Sequence, residues 1–269
     1  MTSPALQEVV AVLASPAAGN PSQYLFERAL AAAGLDWRLI TCDVEPGQLA
    51  AAIGGAGALG FRGCVVAGPL REPALGLVAT ASPAATFARA VSLLERTAEG
   101  LGGHMTDGRG VIEAVRAHAD PAGREVLVLG AGPTARAVAL ELALAGATGI
   151  LVAADDAEQA ATLADDLAGM KTAAAATLPW AATLEMPEQV GLVVRATAAP
   201  VTLSGLRAEV VHADVAADVD PPPEAVAAGC CLVTGLEVRA MQAAIEFQAL
   251  TGIEPDVEML REALDEYLS

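Results

Sequence analysis

The sequence predicts an α/β protein, and three observations carry that prediction. The stretch from Val126 to Asp156, VLVLGAGPTARAVALELALAGATGILVAADD, reads as strand, glycine turn, helix and second strand. Apolar runs at Val9–Leu13, Trp37–Cys42 and Cys64–Ala67 alternate with segments of helical character. At 269 residues the chain has length for one large or two modest domains, each with a core.

The central stretch sets the organisation. Val126-Leu127-Val128-Leu129 is apolar throughout, as a strand buried on both faces of a parallel sheet must be. Gly130-Ala131-Gly132 turns the chain, and Pro133-Thr134 opens a helix, where a missing N–H costs nothing. Val138, Leu142 and Ala145 recur along that helix, Gly146 ends it, and Ile150-Leu151-Val152 returns as a strand stopped by Asp155 and Asp156. The turn reads G-x-G-x-x-A, with Ala135 in the third place. Small residues there let backbone approach a pyrophosphate at the positive end of a helix. Asp155 follows Ala135 by 20 residues, where an acid can hold an adenosine ribose. The stretch therefore predicts a Rossmann-type dinucleotide-binding unit; the competing reading is a βαβ turn that serves packing alone.

Around it the elements follow in order. After the strand Val9–Leu13 comes the loop 15–22, then a helix over about 23–33 closed by Gly34. Strands at Trp37–Cys42 and Cys64–Ala67 flank a helix at Pro46–Ile53, and Gly68-Pro69 breaks the second of them. The glycines of 100–110 read as a passage between domains, with Val111–His118 a linking helix. Beyond the central stretch, Ala157–Leu167 is a helix, and Leu192–Val194, Val210-Val211 and Cys230–Val233 are strands. Pro221–Pro223 forces a turn. Helices from Gly235 to about Leu250 and from Glu254 to Leu268 close the chain.

Composition excludes several function classes. The chain is 54% hydrophobic but 3% aromatic, so its core must be built from Ala, Val and Leu. A net charge of −18 disfavours nucleic acid, which needs Lys and Arg to displace counterions. No apolar run has bilayer length, and the N-terminus lacks a basic segment followed by an apolar one, so a cytoplasmic protein is expected. Cys42, Cys64, Cys230 and Cys231 have no C-x-x-C spacing, and His104, His118 and His212 are scattered, so neither a metal site nor a disulfide framework is expected. The sequence leaves open a homo-oligomer.

Several short motifs then occur in one order: Gly34-Leu35-Asp36-Trp37, Gly60-Phe61-Arg62-Gly63, Thr106-Asp107-Gly108, the Gly130 turn, Gly235-Leu236-Glu237-Val238, and Gln242 with Phe247 and Thr251-Gly252. Over nearly the whole chain this order resembles the shikimate/quinate dehydrogenase family. The resemblance implies a substrate domain of residues 1–107 plus 237–269, with the dinucleotide-binding domain, 108–236, inserted. It implies cofactor contacts from Gly130, Ala131, Gly132, Pro133, Thr134, Ala135, Arg136, Asp155, Asp156 and Gly235. Substrate contacts fall to Asn20, Ser22, Ser92 and Gln242, and catalysis to Asp107 with Arg71.

The departures from the family pattern predict a changed chemistry. The family's N-V-T-x-P-x-K segment reads Val65-Val66-Ala67-Gly68-Pro69-Leu70-Arg71, placing arginine where the family has its catalytic lysine. Arginine can hold an oxyanion but cannot release its proton, which leaves Asp107 to handle the proton. Met105 stands for an asparagine, Ser92 for another, and Ala217 for a tyrosine. Each hydroxyl of a triol left unpaired costs roughly 1–3 kcal/mol, so the losses at Val65, Ala67 and Met105 weaken shikimate binding by more than about a hundredfold. The family's arginines for a 2′-phosphate are replaced by Asp155, Asp156 and Glu158, which favours NAD over NADP; the competing reading is an empty pocket, with the acids capping the next helix. The expectation is an NAD-dependent oxidoreductase acting on a cyclic hydroxy or keto carboxylate other than shikimate. Its alternatives are a catalytically silent relative, holding a small carboxylate or a partner protein without cofactor, and shikimate dehydrogenase itself.

Overall fold

The computed structural model describes residues 7–269; Met1–Leu6, part of the N-terminus read above for a targeting signal, lie outside the described residues. The chain divides into two compact units, Met1–Thr106 with Gln242–Ser269, and Asp107–Met241. Among the described residues no helix is long and apolar enough to cross a membrane.

The first unit carries β1 (Val9–Ala14), α1 (Ser22–Ala32), β2 (Arg38–Asp43), α2 (Leu49–Ala58), β3 (Gly63–Val66), α3 (Arg71–Ala74), β4 (Thr80–Ala81), α4 (Pro83–Ala88), β5 (Leu93–Arg96) and β6 (Leu101–His104). Its sheet runs β2-β1-β3-β5-β6-β4. The first three strands are parallel, and β5 is antiparallel to both β3 and β6. Phe26 of α1 meets Phe247 edge to face, with centroids 5.8 Å apart, so two of the chain's few aromatics anchor one core.

The passage between the two units does fall within Gly100–Gly110, at Thr106 and Asp107, but the stretch is built of regular structure. Leu101–His104 forms β6, and Asp107 already belongs to a helix. The glycines there serve close packing: a Cβ on Gly103 would lie 2.8 Å from the Val91 side chain, and one on Gly102 3.1 Å from Thr80 and Thr97. The segment 80–104, with two strands of four residues and one of two, is too short to carry an alternation pattern. Pro46–Ile53 also differs, with a 3₁₀ turn at Pro46–Gln48 before α2; proline and glycine at its start favour the tighter turn.

The second unit carries α5 (Asp107–Arg116), β7 (Glu125–Leu129), α6 (Pro133–Leu144), β8 (Gly149–Ala153), α7 (Ala157–Met170), β9 (Ala174–Thr177), β10 (Thr183–Glu185), β11 (Val190–Arg195), β12 (Thr202–Ser204), β13 (Val211–Asp214), α8 (Pro223–Ala227) and β14 (Cys231–Val233). α9 (Gly235–Thr251) begins in this unit and ends in the first, followed by α10 (Val257–Leu268). Six of these strands form one sheet, β14-β13-β11-β7-β8-β9, parallel throughout. Numbered within the unit that is 6-5-4-1-2-3, the doubly wound Rossmann order. β7 is buried along Val126–Leu129, as its unbroken apolar run requires. Gly108 lets α5 lie directly on α6, since a Cβ there would fall 2.2 Å from the Ala137 carbonyl oxygen.

Candidate active site

The glycine turn follows β7 at the point where the sheet order reverses, between β8 and β11. Open parallel sheets bind ligands at this switch point. Gly130 has φ +111°, and a Cβ on it would come within 2.6 Å of the Ala196 carbonyl oxygen; only glycine fits. Gly132 differs, for a Cβ there would meet nothing within 4 Å. Gly132 is also the N-cap of α6 and supplies no side-chain cap. An open backbone cradle therefore faces the positive end of a twelve-residue helix, as an anionic pyrophosphate requires. Ala135 is fully buried against the fold, which explains a small residue in the motif's third place. Beyond β11 and β13 lies a cavity of about 460 Å³, lined in part by Thr134, Arg195, Thr197, Asp214 and Ala216.

Asp107, first residue of α5, is 1% exposed. Its Oδ2 accepts a hydrogen bond from the Thr134 hydroxyl at 2.9 Å. One bond thus joins the family-matched acid to the second residue of the glycine-turn helix. Gly108, the next residue, makes the bond reachable by bringing α5 against α6.

At the far end of the turn the matched residues separate by role. Arg136 is buried and pairs with Asp166 at 2.5 Å, so it ties α6 to α7. Asp156 caps α7, its Oδ1 accepting from the Glu158 and Gln159 N–H groups at 3.0 and 3.1 Å. The Gln159 backbone bond leads in holding its carboxyl below the ordinary range. Asp155, exposed just past β8, takes no part in that cap. Gly235, the last residue matched to the cofactor side, sits at the start of α9, where a Cβ would lie 1.8 Å from the Ala216 carbonyl oxygen. Its smallness serves packing beside the cavity wall.

In the first unit, Arg71 opens α3 and its Nε donates to the Val66 carbonyl at 3.1 Å. Val65 and Met105 are buried and Ala67 half-buried. Asn20 Oδ1 accepts the Ser22 N–H at 2.9 Å, which starts α1, and Ser22 is fully buried. Gln242 is buried on α9. Ser92 is fully buried in a chain of bonds: the Thr106 N–H donates to Ser92 Oγ at 2.8 Å, the two hydroxyls lie 2.8 Å apart, and Thr106 Oγ1 donates to Glu246 Oε1 at 3.3 Å. With the Thr106 proton directed at Glu246, the Ser92 proton is directed at Thr106.

Sequence reasoning missed three residues that this geometry brings forward. Glu246, fully buried one turn beyond Gln242, was legible as a carboxylate on an apolar helix face. Arg195 and Asp214 end neighbouring strands β11 and β13 and bond to each other beside the cavity; charge at the carboxyl end of an apolar strand was their signal. The G-F-R-G motif proves architectural. A Cβ on Gly63 would lie 2.2 Å from the Leu94 carbonyl oxygen, and Arg62 Nε holds the Leu250 carbonyl at 2.7 Å.

A parallel sheet in Rossmann order, an open glycine cradle at its switch point and a buried acid one hydrogen bond away define a nucleotide-dependent oxidoreductase. No family model matches the chain. Among individual proteins, it is 33% identical over 251 residues to the shikimate dehydrogenase (NADP(+)) of Anaeromyxobacter sp. strain Fw109-5, covering 90% of each chain. Among solved structures it resembles the 5-ketofructose reductase of Gluconobacter sp. strain CHM43, at 30% identity and TM-score 0.91, covering 97% of this chain and 99% of the other. The quinate dehydrogenase of Corynebacterium glutamicum, solved with NAD, gives 25% identity and TM-score 0.80 over 97% and 99%. The protein belongs to the shikimate dehydrogenase family and is an NAD(P)-dependent dehydrogenase.

Proposed function

We propose that the protein is an NAD-preferring oxidoreductase whose substrate is a hydroxy or keto compound other than shikimate, bound by the unit of residues 1–106 and 242–269. The Asp107–Thr134 hydrogen bond of 2.9 Å carries this reading, because it holds a proton-accepting group against the helix whose N-terminus would receive the cofactor pyrophosphate. The nicotinamide would supply hydride transfer. Asp107 would take or return the proton of the alcohol oxygen, and Arg71 would hold that oxygen without exchanging a proton. Asp155, beyond the end of β8 and clear of the α7 cap, is suited to a ribose diol, and with Glu158 it would repel a 2′-phosphate.

On the substrate side, Asn20, Ser22 and Gln242 are the polar positions matched to carboxylate and hydroxyl contacts, with Ser92 acting through Thr106. They favour a cyclic carboxylate with fewer hydroxyls than shikimate. The likeness to 5-ketofructose reductase favours a second substrate class, a neutral keto sugar. Initial rates with shikimate, quinate, simpler hydroxycyclohexene carboxylates and 5-ketofructose, each with both nicotinamide cofactors, separate the two. Turnover should be highest with a compound other than shikimate; shikimate as the best substrate would overturn the proposal.

A further inference from the structure

Away from the glycine turn, the second unit assembles a cysteine, a histidine and a glutamate from three elements. Cys231 opens the edge strand β14, His118 follows α5, and Glu237 lies in the first turn of α9. Cys231 Sγ lies 3.8 Å from His118 Nδ1, and His118 Nε2 lies 2.8 Å from Glu237 Oε1. We propose that Cys231 is an activated thiol, a modification site for peroxide-class oxidants, with His118 as its base and Glu237 as the group that orients the base.

Glu237 is held as a carboxylate. Burial opposes its ionisation, but bonds from the Thr234 N–H and from His118 outweigh burial and hold the carboxyl below the ordinary range. The Thr234 N–H and hydroxyl both donate to Oε2, at 2.7 and 2.9 Å, which fixes that oxygen and leaves Oε1 directed at the imidazole. A carboxylate accepts only, so His118 Nε2 carries the proton and Nδ1 of the neutral ring presents its lone pair to Cys231. This is the general relation of nucleophile, base and orienting acid.

Two of the other thiols, Cys64 and Cys230, are placed differently. All four cysteines are free. Burial pushes Cys64 up to about 12 and raises Cys230. Alternation along the chain sends Cys230 the other way, where its thiol donates to the Arg207 carbonyl at 3.4 Å; it is not set to capture an oxidised Cys231. Cys231 is half-buried and His118 exposed, so a small oxidant has access.

His118 Nδ1 takes the thiol proton, and the sulfur attacks one oxygen of hydrogen peroxide, forming the S–O bond as the O–O bond breaks. The departing hydroxide takes the proton from the imidazolium and leaves as water. Cys231 ends as a sulfenic acid, and the peroxide is reduced.

The test measures each cysteine separately in the intact protein, by peptide mass spectrometry. Iodoacetamide alkylation rates are read without oxidant, and dimedone capture is read after hydrogen peroxide treatment. Cys231 should react at least about tenfold faster than Cys64 and Cys230 in both, and His118→Gln should remove most of that advantage while circular dichroism and melting are unchanged. His118→Ala is measured alongside in case glutamine substitutes as an acceptor. A smaller advantage at Cys231, or one that survives both folded variants, overturns the proposal. None of these readouts depends on dehydrogenase turnover.

Discussion

Replacing Thr134 by valine keeps the shape of the side chain and removes the hydroxyl that donates to Asp107 at 2.9 Å. Asp107 is 1% exposed, so bulk water cannot readily replace the lost donor. A hydrogen bond to a charged group contributes about 1.5–3 kcal/mol net. At about 2–4 °C per kcal/mol for a chain of this size, Thr134→Val should melt about 3–12 °C below the native protein. The same bond orients the group assigned to proton transfer, so kcat should fall by about tenfold or more, each factor of ten being about 1.4 kcal/mol of barrier. Thr134→Ser restores the hydroxyl and should recover most of both losses. Differential scanning calorimetry and initial-rate kinetics on the three proteins give the answer. A valine variant with native melting and native kcat would refute the reasoning, because the hydroxyl would then be shown to hold nothing.

Other perturbations test separate parts of the structure. NAD should bind at least tenfold more tightly than NADP, about 1.4 kcal/mol, and Asp155→Ala should erode that preference by calorimetry while Asp156→Ala, which removes the α7 cap, should chiefly lower helix stability. Gly108→Val should prevent α5 from lying on α6, given a Cβ position 2.2 Å from the Ala137 carbonyl oxygen, and little folded protein should be recovered by gel filtration. Burial lowers the pKa of His212, so the unfolded chain gains a proton below about pH 6.5 that the folded chain resists. Stability should therefore fall as pH drops through that value, and the urea midpoint of His212→Leu should fall less over the same interval.

The second unit was largely legible because its signals are local. A buried parallel strand, a glycine turn and a helix closed by Gly146 follow one another without help from distant residues. The first unit was legible in its closing helices, α9 and α10, and in the chain up to Val66. Beyond it, β4, β5 and β6 are short, and Gly102 and Gly103, which look like loop residues, are dictated by Thr80, Thr97 and Val91 packed against them. The site divides in the same way. Asp107 and the Gly130 turn carry family spacing, but the Thr134 bond depends on how α5 crosses α6, and the partnership of Ser92, Thr106 and Glu246 spans residues far apart in the chain. Arg136 shows the opposite limit: its place in the motif was readable, while its partner Asp166 was not. Asp156 caps α7, the role that the competing reading of the acids gave it.

The most direct test of the proposed chemistry follows a single hydride. Purified protein is given NADH deuterated on the nicotinamide ring, in the transferable position, with the keto forms of shikimate, of quinate and of simpler hydroxycyclohexene carboxylates and with 5-ketofructose, and each product is weighed by mass spectrometry. The account predicts one deuterium in a product other than shikimate, and no such product at a comparable rate from Asp107→Asn. Failure of the native protein to transfer deuterium to any of these compounds, or transfer by Asp107→Asn at the native rate, would contradict it.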